Sequence, residues 1–105
     1  MIQTLDFISL LRPKRPDFYA TLTQEERVAM RKHKEYIKHL FEDGKIVMSG
    51  EASEDALEIV LYRVDSADEA RRYFYNDPAV IAGIGYPELY PFQIGHLAHP
   101  GSGLP

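Results

Sequence analysis

The stretch Leu57-Glu58-Ile59-Val60-Leu61-Tyr62-Arg63-Val64 decides the architecture. It reads as a strand, and side chains alternate across a strand. Leu57, Ile59 and Leu61 therefore share one face, and Val60, Tyr62 and Val64 share the other. Both faces are apolar, so both need a cover.

Upstream, Ile46 to Gly50 is a shorter strand. Before it, Thr23 and Glu26 have the spacing of a capping box, which opens a helix running to about Asp43. Gly44 suits the left-handed position that ends such a helix. Residues 2–11 (IQTLDFISLL) are dense in β-favouring side chains and form the first strand. Arg12-Pro13-Lys14-Arg15-Pro16-Asp17 then breaks it. Downstream, Ser66 and Glu69 form a second capping box for a helix ending near Asn76. Asp77-Pro78 is an N-cap followed by proline at the first helical position, and opens a short turn that stops by Gly83 or Gly85. Tyr86 to Ile94 is the last strand, confined to an edge by Pro87 and Pro91. The order is β-α-β-β-α-β. This is the α+β, ferredoxin-like pattern: a four-stranded antiparallel sheet with two helices on one face. Two helices cover one face only. The simplest cover for the other is a second copy of the chain, packed sheet on sheet as a homodimer. The alternative cover is the Arg12–Leu22 loop together with the tail.

The chain has 105 residues, 45% of them hydrophobic and 27% charged. That suits one domain, over residues 1–95, with a Pro/Gly-rich tail at 96–105. Cysteine is absent, which excludes disulfide scaffolds, thiolate metal sites and cysteine nucleophiles. No apolar run approaches the roughly 18–20 residues of a membrane span. The first residues lack a basic segment and carry Asp6 early, so a cytoplasmic protein is expected. Net charge is −4, an argument against nucleic acid as the main partner. Residues 1–45 hold 9 Lys/Arg and 7 Asp/Glu, and residues 46–105 hold 3 and 9. The basic excess lies largely on one amphipathic segment, where a solvated helix face explains it at least as well as a phosphate-binding stripe.

One residue of the long helix breaks its pattern. The apolar stripe runs Ala29, Met30, Tyr36, Ile37, Leu40, Phe41, and His33 falls inside it. It is either a core histidine bonded to a carbonyl or a site histidine poised as a general acid/base. His39 lies on the other side, between Glu35 and Asp43, on a solvated face. Asp77 is either a plain cap or a cap whose second carboxylate oxygen fixes a helix histidine. Gly50, in Ser49-Gly50-Glu51, serves a turn or lets a ligand approach the backbone. His96 and His99 have a chelating spacing, but Pro100-Gly101 stops a helix there, and no metal site is expected. A metal held by His33 and Asp77 would have too few ligands. Phosphate loops, nucleophile elbows and H-E-x-x-H are absent, so no cofactor is expected.

These pieces, in this order, resemble the YCII-related (YciI-like) domain family over roughly Asp6 to Gly95. The marks are His33 on its helix and Leu40-Phe41-Glu42-Asp43-Gly44-Lys45 at the helix end. Gly50 follows the second strand, then come Asp77-Pro78-Ala79-Val80-Ile81-Ala82-Gly83-Ile84 and a closing Tyr90-Pro91-Phe92. The resemblance implies a dimeric α/β barrel and a His–Asp pair, His33 and Asp77, facing a pocket. It also implies cofactor-independent proton-transfer chemistry on small cyclic or aromatic molecules. Two departures concern the pocket. Ser49-Gly50-Glu51 replaces the usual Ala-Gly-Pro, making the rim more polar and acidic. Ala79 replaces an aromatic residue, making the pocket larger. Ser49, Gly50, Glu51 and Tyr36 are the expected substrate contacts. The functional expectation is acid/base catalysis (isomerisation, elimination or dehalogenation) on a small organic molecule. The alternative is a non-catalytic ligand-binding or dimerising module in which His33 and Asp77 are structural.

Overall fold

The computed structural model describes residues 4–52 and 57–98. Its elements are β1 (Leu5–Pro13), α1 (Gln24–Glu42), β2 (Ile46–Ala52), β3 (Leu57–Val64), α2 (Ala67–Tyr75), α3 (Pro78–Ile81) and β4 (Gly85–Pro91). The sheet is antiparallel throughout, in the order β2-β3-β1-β4. That is the expected ferredoxin-like arrangement, and it puts the proline-bearing β4 on an edge.

Local chemistry sets the helix limits. The Thr23 hydroxyl accepts from the Glu26 amide at 3.1 Å, and the Glu26 carboxylate accepts from the Thr23 amide at 2.8 Å. At the other end Gly44 takes φ +78°. Its N–H donates to Phe41 O at 3.1 Å, and the Lys45 N–H donates to Leu40 O at 2.8 Å. This Schellman closure needs a residue without a Cβ penalty at position 44.

Several boundaries differ from the sequence expectation. β1 continues through Arg12 to Pro13, because Pro13 pairs with Gly85 at the last rung of the ladder. A Cβ on Gly85 would stand 2.5 Å from the Arg12 carbonyl oxygen, so only glycine permits this approach. Ile2 and Gln3 lie outside the described residues. β2 runs two residues longer than expected, to Ala52. β4 stops at Pro91, opposite Phe7, and not at Ile94. The second capping box is half made. The Ser66 hydroxyl accepts from the Glu69 amide, but the Glu69 carboxylate reaches back one residue further, to the Asp65 amide at 2.7 Å. A 3-10 turn at Phe18–Ala20 also lies in the loop expected to be irregular.

The helices cover one face of the sheet. Phe7, Val60, Tyr62 and Val64 pack against Ile37, Leu40, Ala70 and Phe74. A second cluster joins Leu11, Phe18, Ala29, Met30, Ala79 and Ile84. Phe18 therefore carries the β1–α1 loop to the helix side, and not across the open face. Arg15 fixes that loop to the start of α1 through two 2.7 Å bonds to Glu26. On the open face Ile8, Leu10 and Ile59 are half-buried, while Met48, Tyr86 and Tyr90 are exposed. Among the described residues, no helix is long and apolar enough to cross a membrane.

Candidate active site

Three elements meet at His33. α1 directs its imidazole inward, where it is only 3% exposed. The short turn of α3 begins at Asp77, whose carboxylate caps it by accepting from the Ala79 amide at 2.9 Å. The same carboxylate lies with both oxygens 2.8 Å from His33 Nδ1. Asp77 is thus both cap and partner, and itself buried. β3 supplies the third group: Glu58 Oε1 lies 3.1 Å from His33 Nε2.

The ring is held between two carboxylates. An ionised carboxylate only accepts hydrogen bonds, so both ring nitrogens carry protons and His33 is an imidazolium. Burial by itself pulls the imidazole pKa down, but the bonds to Asp77 and then to Glu58 outweigh it and push the value up to about 9. Two more buried hydroxyls adjoin the cluster. The Tyr62 hydroxyl makes no well-formed hydrogen bond among the described residues and lies beside Ser9. Burial, and after it the charge of Asp77, raises the Tyr62 phenol further from ionisation.

A groove of about 530 Å³ runs between α1 and β2 and ends on this cluster. His33, Lys34, Ile37, Lys38 and Phe41 line it from α1, Met48, Ser49, Gly50 and Glu51 from β2, and Glu58 from β3. The fold thus brings His33, Ser49, Gly50 and Glu51 to one groove, with Asp77 behind His33. Gly50 stands in extended β2, and an added Cβ would meet nothing within 4 Å, so neither a turn nor backbone crowding requires it. Tyr36 is placed elsewhere. It turns toward α2 and donates its hydroxyl to the Tyr73 carbonyl at 2.6 Å. His39 is exposed, with Glu42 its nearest acid at 3.8 Å. His96 is exposed and His99 lies outside the described residues. Among the described residues, no three His, Asp or Glu side chains are placed to hold a metal. Around His33 the two carboxylates stand at opposite nitrogens and do not converge. A larger cleft, of about 1120 Å³, lies between the start of β1 and residues 91–95, and none of these site residues line it.

A family model for the YCII-related domain matches residues 7–92. The chain belongs to the YCII-related family. Among solved structures, this YCII-related chain is similar to the 5-chloro-2-hydroxyhydroquinone dehydrochlorinase TftG from Burkholderia phenoliruptrix AC1100, in complex with 2,5-dihydroxybenzoquinone. The TM-score is 0.57 at 17% identity, over 85% of this chain and 95% of that one. No protein with a curated description matches by sequence. Two residues of this YCII-related site escaped sequence reading. Glu58 carried a signal: it shares the face of Val60, Tyr62 and Val64, where an acid is as anomalous as a histidine in an apolar helix stripe. Tyr19 carried none. It sits on the 3-10 turn and joins His33, Glu58 and Met30 around a niche of about 10 Å³. Partial burial and the charges of Glu51 and Glu58 push its phenol up to about 12.

Proposed function

We propose that this YCII-related chain is a small cofactor-independent enzyme that moves protons on a small organic molecule, by isomerisation, elimination or dehalogenation. The observation that carries the reading is the buried ring of His33, clamped by Asp77 and Glu58 at the end of a groove of small-molecule size. In this reading Asp77 fixes Nδ1 and stabilises the positive ring, and the proton is exchanged on the Nε2 side of the ring, where Glu58 stands. Such positioned acid/base chemistry contributes on the order of 10²–10⁴-fold to a rate. Ser49, Gly50 and Glu51 contact the substrate in the groove, and Tyr36 acts from behind by bracing α1 against α2. The dehydrochlorinase activity of the similar structure supports a small ring as substrate.

We also propose that a second copy covers the open sheet face, giving a dimeric α/β barrel in the cytoplasm. The exposed Met48, Tyr86 and Tyr90 beside Ile8, Leu10 and Ile59 support it. The test is a screen of small cyclic acids, lactones and chlorinated hydroquinones, read as product or chloride release. His33→Ala and Asp77→Ala each abolish turnover while the protein stays folded. Unchanged turnover in His33→Ala removes the proposal.

A further inference from the structure

We infer that Glu58 is the proton-accepting residue of this site, the group that meets a ligand in the α1–β2 groove, with the His33 imidazolium as the donor that holds it. This rests on the acid/base reading above and assigns its base. An acid on the Val60, Tyr62 and Val64 face is costly to bury without a partner. Its partner is His33 Nε2, at 3.1 Å. That bond occupies the Nε2 proton, so His33 has no lone pair to offer as a base. Glu58 has. Its Oε2 makes no hydrogen bond among the described residues, its side chain is 13% exposed against 3% for His33 and Asp77, and it lines the groove, which Asp77 does not.

The ligand class follows. The atom seated on Glu58 bears an acidified C–H or O–H, because a carboxylate there would meet like charge. Exposed Phe41 offers an apolar wall, and Lys34 and Lys38 line the groove, where they would face the negative charge left behind. The proton passes to the Glu58 carboxylate, the bonding pair stays on the ligand, and His33 keeps both its protons. The titratable groups that act on His33 are Asp77 and Glu58; Tyr19 shares its niche, and Lys34 and Glu51 line the same groove.

The probe is a nitrobenzisoxazole, a neutral bicycle. Loss of its one acidic C–H proton to the base forms a nitrile as the N–O bond breaks, and the ring opens to a single coloured cyanophenolate. The native protein, corrected for buffer, opens it on the order of 10²-fold faster than Glu58→Gln. Glu35→Gln, on the exposed side of α1, keeps the native rate. A native rate equal to that of Glu58→Gln overturns the assignment. If Glu58→Gln fails to fold, Glu58→Asp decides: it keeps the charge but shortens the reach, and an unchanged rate overturns the assignment. A Glu58-dependent rate with an empty substrate screen supports Glu58 and counts against the enzyme reading. Turnover of a screened substrate that ignores Glu58→Gln overturns Glu58 alone.

Discussion

At position 33 a histidine stands where the helix stripe calls for a leucine, and the fold surrounds it with carboxylates. That arrangement makes Asp77 costly to replace, and in two separable ways. Asp77→Asn keeps an oxygen to cap the Ala79 amide but leaves a buried imidazolium with one charged partner. It should lower stability at neutral pH by roughly 2–4 kcal/mol. Asp77→Ala also removes the cap and should cost about 1 kcal/mol more. Urea unfolding of the two variants measures the difference, and equal losses would mean that the cap contributes nothing. His33 and Asp77 were both legible in the sequence, one as a break in a period and the other as a cap before proline. Their contact was not, since 44 residues separate them. Glu58 was missed because reading residues 57–64 sorted the apolar side chains by face and left the charged ones unassigned. Tyr36 shares the stripe with His33, but the turn of the helix takes it to α2, where the Tyr73 carbonyl receives its hydroxyl.

The element ends that sequence predicts correctly are those with local chemistry. Thr23 with Glu26, Gly44, and Asp77 with Pro78 each satisfy backbone groups within a few residues. The ends that moved depend on distant partners. Pro13 remains in β1 because Gly85, far along the chain, lacks a side chain. Glu69 abandons the capping box because Lys45, 3.1 Å away, and the Tyr73 hydroxyl, 2.9 Å away, draw its carboxylate. Two glycine substitutions rank these constraints. Gly85→Ala pushes a methyl into the Arg12 backbone and should cost about 2–3 kcal/mol. Gly44→Ala forces a left-handed alanine into open space and should cost about 1 kcal/mol. Thermal unfolding of both tests the order, and a milder Gly85→Ala would contradict it.

For the molecule as a whole, the site sets a pH dependence. The folded pKa of His33 is raised to about 9 from an ordinary 6.5, so the folded state binds the proton more tightly. Its contribution is complete below pH 6.5, declines as pH rises, and is gone above 9, up to about 3 kcal/mol in all. Denaturation midpoints should therefore fall between those pH values in the native protein, and less in His33→Gln. The open face carries the proposed dimer. Both apolar faces of β3 were visible in sequence, and the placement of Phe18 removes the β1–α1 loop as a cover. If a second copy covers the face, Ile59→Lys, in its middle, sediments as a folded monomer while the native chain sediments as a dimer. A monomeric native chain would remove the dimer.

The most direct measurement is an NMR titration of the His33 ring in the native protein and in Asp77→Asn. A midpoint near 9 that drops by a unit or more in the variant is the predicted result. A midpoint near 6.5 that ignores Asp77 would contradict the acid/base site, leaving one core histidine and one helix cap.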